Sequence, residues 1–126
     1  MGKRVNPTVL DQLLNYIKTN ATKQVACSAE PTTYAEANAT YKLAEVTMAS
    51  GDFTLGNGTS GGNTPRKLAV ASKSGTVATA GTVTHVALLD VTNSVLLEVT
   101  TCGSQALGLG NGIVFPAWNI EVGAPT

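Results

Sequence analysis

The chain has 126 residues, eight basic and eight acidic side chains that cancel, and 13% charged residues, about half the usual share. That length argues for one domain, residues 1–126, able to bury a core without a structural metal. No basic run exceeds two residues, as at Lys3-Arg4, and no apolar run reaches membrane length, so composition supports neither a nucleic-acid partner nor a membrane span.

The start, MGKRVNPTVLDQLL, is basic but lacks the apolar core of a signal peptide. Gly2 fits a myristoylation motif only in part, because Asn6 stands where Ser or Thr is required. From there VNPTVLDQLLNYIKTN predicts a helix. Val9, Leu10, Leu13, Leu14 and Ile17 recur with the 3.6-residue period and form one apolar stripe. Asn6 is the expected N-cap and Pro7 suits the first helical position. Asp11 is expected in the first turn and Lys18 in the last, both favourable to the helix dipole, and Asn20 is the expected stop. A helix this short is marginal alone, so its stripe must dock on its own sheet or on a neighbouring subunit. Residues 1–22 thus read as an arm and helix.

From residue 23 the period falls to two. KQVACSA predicts a strand with Val25 and Cys27 on one face. EPTTYAEANA reads as a link broken by Pro31. YKLAEVTM alternates, with Tyr41, Leu43 and Glu45 opposed to Ala44, Val46 and Met48. GDFTLGNG is a short strand, and Gly56–Pro65 an exposed loop. RKLAVASK places Leu68 and Val70 inward, with Lys67, Ala69 and Lys73 on the other face. GTVTHVALLDVTNSVLLEVTT predicts a hairpin, apolar on both faces and central in its sheet. Asp90 and Asn93 are expected to make side-chain to backbone bonds in its turn. IVFPAWNIEV closes the chain as two short strands bent at Pro116, with Trp118, Ile120 and Val122 sharing a face. The pattern predicts an all-β domain with one N-terminal helix: about eight short strands over residues 23–126, in a sandwich or barrel.

Candidate chemistry is sparse. The sole histidine, His85, needs a nucleophile or an ordering acid to act as a base, and Asp90 and Glu98 form no triad pattern with it; it reads as structural. GLGNG lacks the lysine and the strand-then-helix setting of a phosphate loop and reads as a turn. Trp118 beside Ile120 and Val122 reads as core rather than a sugar platform. Three sequons, at Asn20, Asn38 and Asn57, are what a chain rich in Asn and Thr produces by chance. Cys27 and Cys102 have no CxxC partner, and one histidine cannot complete a zinc site with them. They read as small apolar residues, with a disulfide possible if their strands are neighbours. No catalytic residue, cofactor or metal is expected.

Three longer stretches carry a resemblance. PTVLDQLLNYIKTNATKQVACSAEPTTYAEANATYKLAEVTMASGDFT, then GTVTHVALLDVTNSVLLEVTT, then SQALGLGNGIVFPAWNIEV are similar to small tailed-bacteriophage virion structural proteins, most specifically in CSAEPTTYAEA, THVALLD and WNIEV. The resemblance implies a β-sandwich, jelly-roll or immunoglobulin-like, in a protein without enzymatic activity. It implies synthesis in the host cytoplasm and a place in the virion. The first expectation is a capsid decoration (cement) protein on the outer capsid, stabilising contacts between capsomers. Its partners would be the major capsid protein or other virion proteins, and it would be a homo-oligomer, a trimer in the favoured form. The alternatives are a neck, collar, tail or fibre component and, more weakly, a receptor- or carbohydrate-binding module. The helix stripe Val9, Leu10, Leu13, Leu14 and Ile17 and the arm before it are the pieces expected to reach a neighbour.

Overall fold

A computed structural model describes residues 7–58 and 66–122. Among them are one long helix, α1 (Pro7–Asn20), and nine strands in two antiparallel sheets. This is the all-β class with one N-terminal helix, sandwich-like in its two-sheet make-up. The strands are β1 (Lys23–Cys27), β2 (Lys42–Thr47), β3 (Phe53–Asn57), β4 (Arg66–Val70), β5 (Lys73–Val77), β6 (Gly81–Asp90), β7 (Val95–Leu107), β8 (Gly112–Phe115) and β9 (Trp118–Val122). The chain divides into two compact units, each with its own sheet. The described parts of one are residues 7–19, 49–58, 66–72 and 116–122; the other comprises 20–48 and 73–115.

The smaller unit holds α1 and the sheet β3-β4-β9. Register pairs Phe53 with Val70, Leu55 with Leu68, Leu68 with Ile120 and Val70 with Trp118, so these six side chains share one face. Phe53, Leu68, Val70 and Ile120 are buried on it. The inward placing of Leu68 and Val70 is as the alternation predicts. Lys73 is not on their strand: the chain leaves β4 at Val70, and Lys73 opens β5 in the other sheet. Pro116, which has no N–H to donate to a ladder, sits in the break between β8 and β9.

The larger unit is a six-stranded sheet in the order β7-β6-β1-β2-β5-β8. The neighbours β1-β2-β5 match part of an immunoglobulin sheet, but β6 and β7 extend it on one side and β8 on the other. The ends of this sheet are close in sequence. Leu107 ends β7 and Gly112 begins β8, so the chain between them reaches at most about 18 Å. Edge strands of a flat six-stranded sheet stand about 24 Å apart. The sheet therefore curls. Gly110, at φ 82°, makes the sharp turn and donates its N–H to the Val77 carbonyl at 2.9 Å.

Curling separates two cores. Inside the curve, buried Ala26, Leu43, Ala44, Val83 and Phe115 cluster with Val46, Val86, Leu107 and Ile113. Outside it, buried Val25, Cys27, Ala37, Ala87 and Leu89 cluster with Tyr34, Tyr41, Leu96 and Val99. The outer core exists because residues 34–41, which overlap the expected link 30–39 and take Tyr41 from the expected strand after it, fold over the sheet. They include a turn of π-helix, Glu36–Thr40, that drops Ala37 onto Cys27. Glu36 ties this segment down by accepting bonds from the Thr32 N–H and hydroxyl at 2.9 and 2.7 Å.

Bulges break the strict alternation read from the sequence. Ala26 faces Ala44 but Cys27 faces Lys42, so Leu43 is an extra residue and joins Ala44 in the inner core rather than opposing it. On β7, Thr101 faces His85 and Gln105 faces Val83, which leaves two extra residues on the β7 side. Val83 and Val86, three apart on β6, both join the inner core. The predicted hairpin forms, but β7 is an edge strand and only β6 is interior. Its register shifts bend that edge and spoil it as a template for further pairing.

Candidate interaction surface on helix α1

Five apolar positions were expected to make one stripe on the helix. At about 100° per residue they cover roughly 140° of its circumference, and Tyr16, 20° beyond Val9, widens the arc to about 160°. One sheet cannot cover so wide an arc, and the structure divides it. Leu10 and Leu14 are buried and Ile17 is half-buried. Val9, Leu13 and Tyr16 are 53%, 57% and 53% exposed. The first set lies at about 80–140° around the axis, the second between about −20° and 40°. Tyr16, outside the five-residue stripe, lies beside Val9 on the exposed side of the helix.

Polar tethers fix α1 in its own unit. Asp11 is not in the first turn as expected; helix α1 begins at Pro7, so Asp11 falls in the second turn, on the side away from the exposed stripe. There it pairs with Arg66 of β4, whose Nε donates to Oδ1 at 2.7 Å and Nη2 to Oδ2 at 3.4 Å. Lys18 lies in the last turn as expected and donates from Nζ to the Phe53 carbonyl at 3.1 Å. Asp11 and Lys18 are seven residues apart, one at each end of the same helix side. Every other residue between Thr8 and Thr19 is uncharged, so the outward side, with Thr8, Gln12 and Thr19 exposed around the stripe, carries no charge. The expected N-cap, Asn6, and the arm before it lie outside the described residues, as does most of the loop Gly56–Pro65.

The remaining candidates sit on the six-stranded sheet. Cys27 is on β1 and Cys102 on β7, with β6 between them. Two strand spacings are about 9.6 Å, beyond the roughly 7 Å Cα limit for a bridge. The condition of neighbouring strands is not met, and both are free thiols, Cys27 buried and Cys102 exposed. Burial, with a smaller push from Cys102, raises the Cys27 thiol to about 11. His85 is half-buried on the outer face between Cys27 and Thr101 in register, its Nδ1 2.9 Å from the Thr84 hydroxyl. Asp90 is buried and accepts from the Asn93 N–H at 3.2 Å and from the Asn93 side-chain amide at 2.7 Å, which closes the turn into β7. Trp118 is half-buried in the small sheet. Among the described residues no group of three or more His, Cys, Asp or Glu could hold a metal ion, and no helix is long and apolar enough to cross a membrane.

Glu98 carries a raised carboxyl. It faces Leu88 in register, on the inner side of the curled sheet, and desolvation lifts its pKa. An acid whose folded pKa is raised is penalised when ionised. The penalty is full above the folded pKa and disappears below the unfolded value of about 4.3. Glu98→Gln is therefore expected to raise Tm at pH 7, with the difference from wild type vanishing as pH falls below about 4. A pH-independent difference would contradict this placement.

No protein-family model, curated protein or solved structure matches the chain.

Proposed function

We propose that the chain is a non-enzymatic bacteriophage virion structural protein, a capsid decoration (cement) protein that binds the outer capsid and stabilises contacts between capsomers. The observation that carries this reading is the outward stripe Val9, Leu13 and Tyr16 on a helix already tethered at both ends. Contiguous exposed apolar side chains cost solvation unless a protein partner covers them. A helix held in place before binding loses little entropy when it docks. Low surface charge suits a chain that spends its life packed against protein. Many copies on one lattice convert weak individual contacts into firm attachment, which is how a cement protein works. The resemblance of CSAEPTTYAEA, THVALLD and WNIEV to phage virion proteins supports that class of particle.

The test is stoichiometry. Quantitative mass spectrometry of purified virions is expected to find copies on the scale of the capsid lattice. A count matching a single ring at the portal or tail would overturn decoration in favour of a neck, collar or tail component.

A further inference from the structure

We infer that Lys23, Asn38 and Glu45 form a self-linking site. The Lys23 amine displaces ammonia from the Asn38 side-chain amide and closes an isopeptide bond between β1 and the segment that covers the outer core. This rests on contacts within the larger unit, not on the proposed place in a particle.

Three elements bring the groups together. Lys23 opens β1 and faces Thr47 in register, so Glu45, two residues back along β2, is its diagonal neighbour on the same face. Asn38 is carried in by the π-helical turn Glu36–Thr40, one residue past Ala37, which packs with Cys27 in the outer core. Lys23 Nζ donates to Asn38 Oδ1 at 3.0 Å and lies 2.9 Å from Glu45 Oε2. Lys42 Nζ binds the other carboxylate oxygen, Glu45 Oε1. A nucleophile, an amide and a proton carrier therefore meet at one nitrogen. The carbon to be attacked, Asn38 Cγ, is bonded to the oxygen that Nζ already touches. Holding the two groups together replaces a bimolecular encounter.

Hydrogen bonds from Lys42 and then Lys23 hold the Glu45 carboxyl below its usual range, so it is ionised and able to take a proton. It accepts one from the Lys23 ammonium. The neutral amine attacks Asn38 Cγ and the Nζ–Cγ bond forms. Glu45 passes its proton to Nδ2, the Cγ–Nδ2 bond breaks and ammonia leaves. The surplus Nζ proton follows through Glu45 to the departing ammonia. An ammonium and a primary amide thus become a secondary amide and an ammonium ion, with no oxidant and no cofactor. The event occurs once per chain, without turnover. It closes residues 23–38 into a loop and fixes the cover over the outer core.

The purified full chain, incubated for days at mildly alkaline pH, is read by intact-mass and tryptic-peptide mass spectrometry. The expected product is lighter by one ammonia. Trypsin no longer cuts after Lys23, and residues 19–42 emerge as one internally linked peptide. Lys23→Arg, whose guanidinium is not a nucleophile, is expected to stay at full mass. Glu45→Gln is expected to slow linking about 100-fold or more, with an unchanged circular dichroism spectrum. The linked chain is expected to melt roughly 10 °C above its unlinked form. A wild-type chain that stays at full mass would overturn the proposal. So would a Glu45→Gln chain that links at the wild-type rate. An ammonia loss with Lys23 still cut marks succinimide formation at an asparagine and would overturn it too. None of these results bears on copy number in a virion, so the two readings fail separately.

Discussion

Phe115→Ala is expected to lower the unfolding free energy by about 3–5 kcal/mol, the range for removing a fully buried aromatic side chain. Phe115 is 2% exposed at the end of β8, an edge strand of only four residues. In a flat sheet it would lie far from β6. In the curled one its ring shares a cluster with Val83 of β6, Leu107 of β7, Ala26 of β1 and Leu43 and Ala44 of β2. A glycine-sized gap lies beside it. A Cβ at Gly75 would come within 3.0 Å of the Glu45 carbonyl and touch the Phe115 ring at 3.7 Å. Truncating Phe115 thus leaves a cavity where five strands converge, and interior packing at crystal-like density relaxes to fill only part of it. The loss is a large share of a stability of about 5–15 kcal/mol. Urea unfolding should show a lower midpoint with little change in slope. A loss under about 1 kcal/mol would mean that β8 does not close onto the inner core.

The second large effect separates adjacent positions on α1. Leu14→Ala is expected to cost about 2–5 kcal/mol, because Leu14 is fully buried. Leu13→Ala, one residue earlier, is expected to change stability by no more than about 0.5 kcal/mol, because Leu13 is 57% exposed. Alanine is the best helix former, so the Leu13 change does not weaken the helix itself. Thermal and urea unfolding of the two variants reads the contrast directly. Equal losses would mean that both leucines face the interior and that no outward stripe exists. The pair also supersedes a simpler experiment, deletion of residues 1–17. That deletion removes buried Leu10 and Leu14 and the Asp11–Arg66 pair along with the exposed stripe, so it would confuse folding with binding.

Local chemistry alone carried much of the fold. Periodicity identified α1 and most of the strands, because each element repeats its apolar residues at its own backbone period. The Asp90–Asn93 turn and the Pro116 break were legible for the same reason: one is a short-range hydrogen bond, the other a missing donor. Strand order was not legible. Nothing local in KSGTV marks a strand, and β5 exists because β2 and β8 flank it. Bulges at Leu43 and along β7 moved side chains to faces that strict alternation denied them, and a bulge is set by the partner strand. Segment 34–41 became a cover because Tyr34, Ala37 and Tyr41 had an apolar outer face to fold onto.

The candidate surface follows the same division. The sequence by itself determined that α1 has an apolar arc too wide and a length too short to stand alone. Only tertiary structure decided which half of the arc, Leu10 and Leu14, is buried and which half, Val9, Leu13 and Tyr16, is exposed. The physical reason is that helix periodicity sets the angles between side chains but not the rotation of the helix about its axis. That rotation is set by long-range contacts, here Arg66 on Asp11 and the Phe53 carbonyl on Lys18, drawn from residues 55 and 35 positions away.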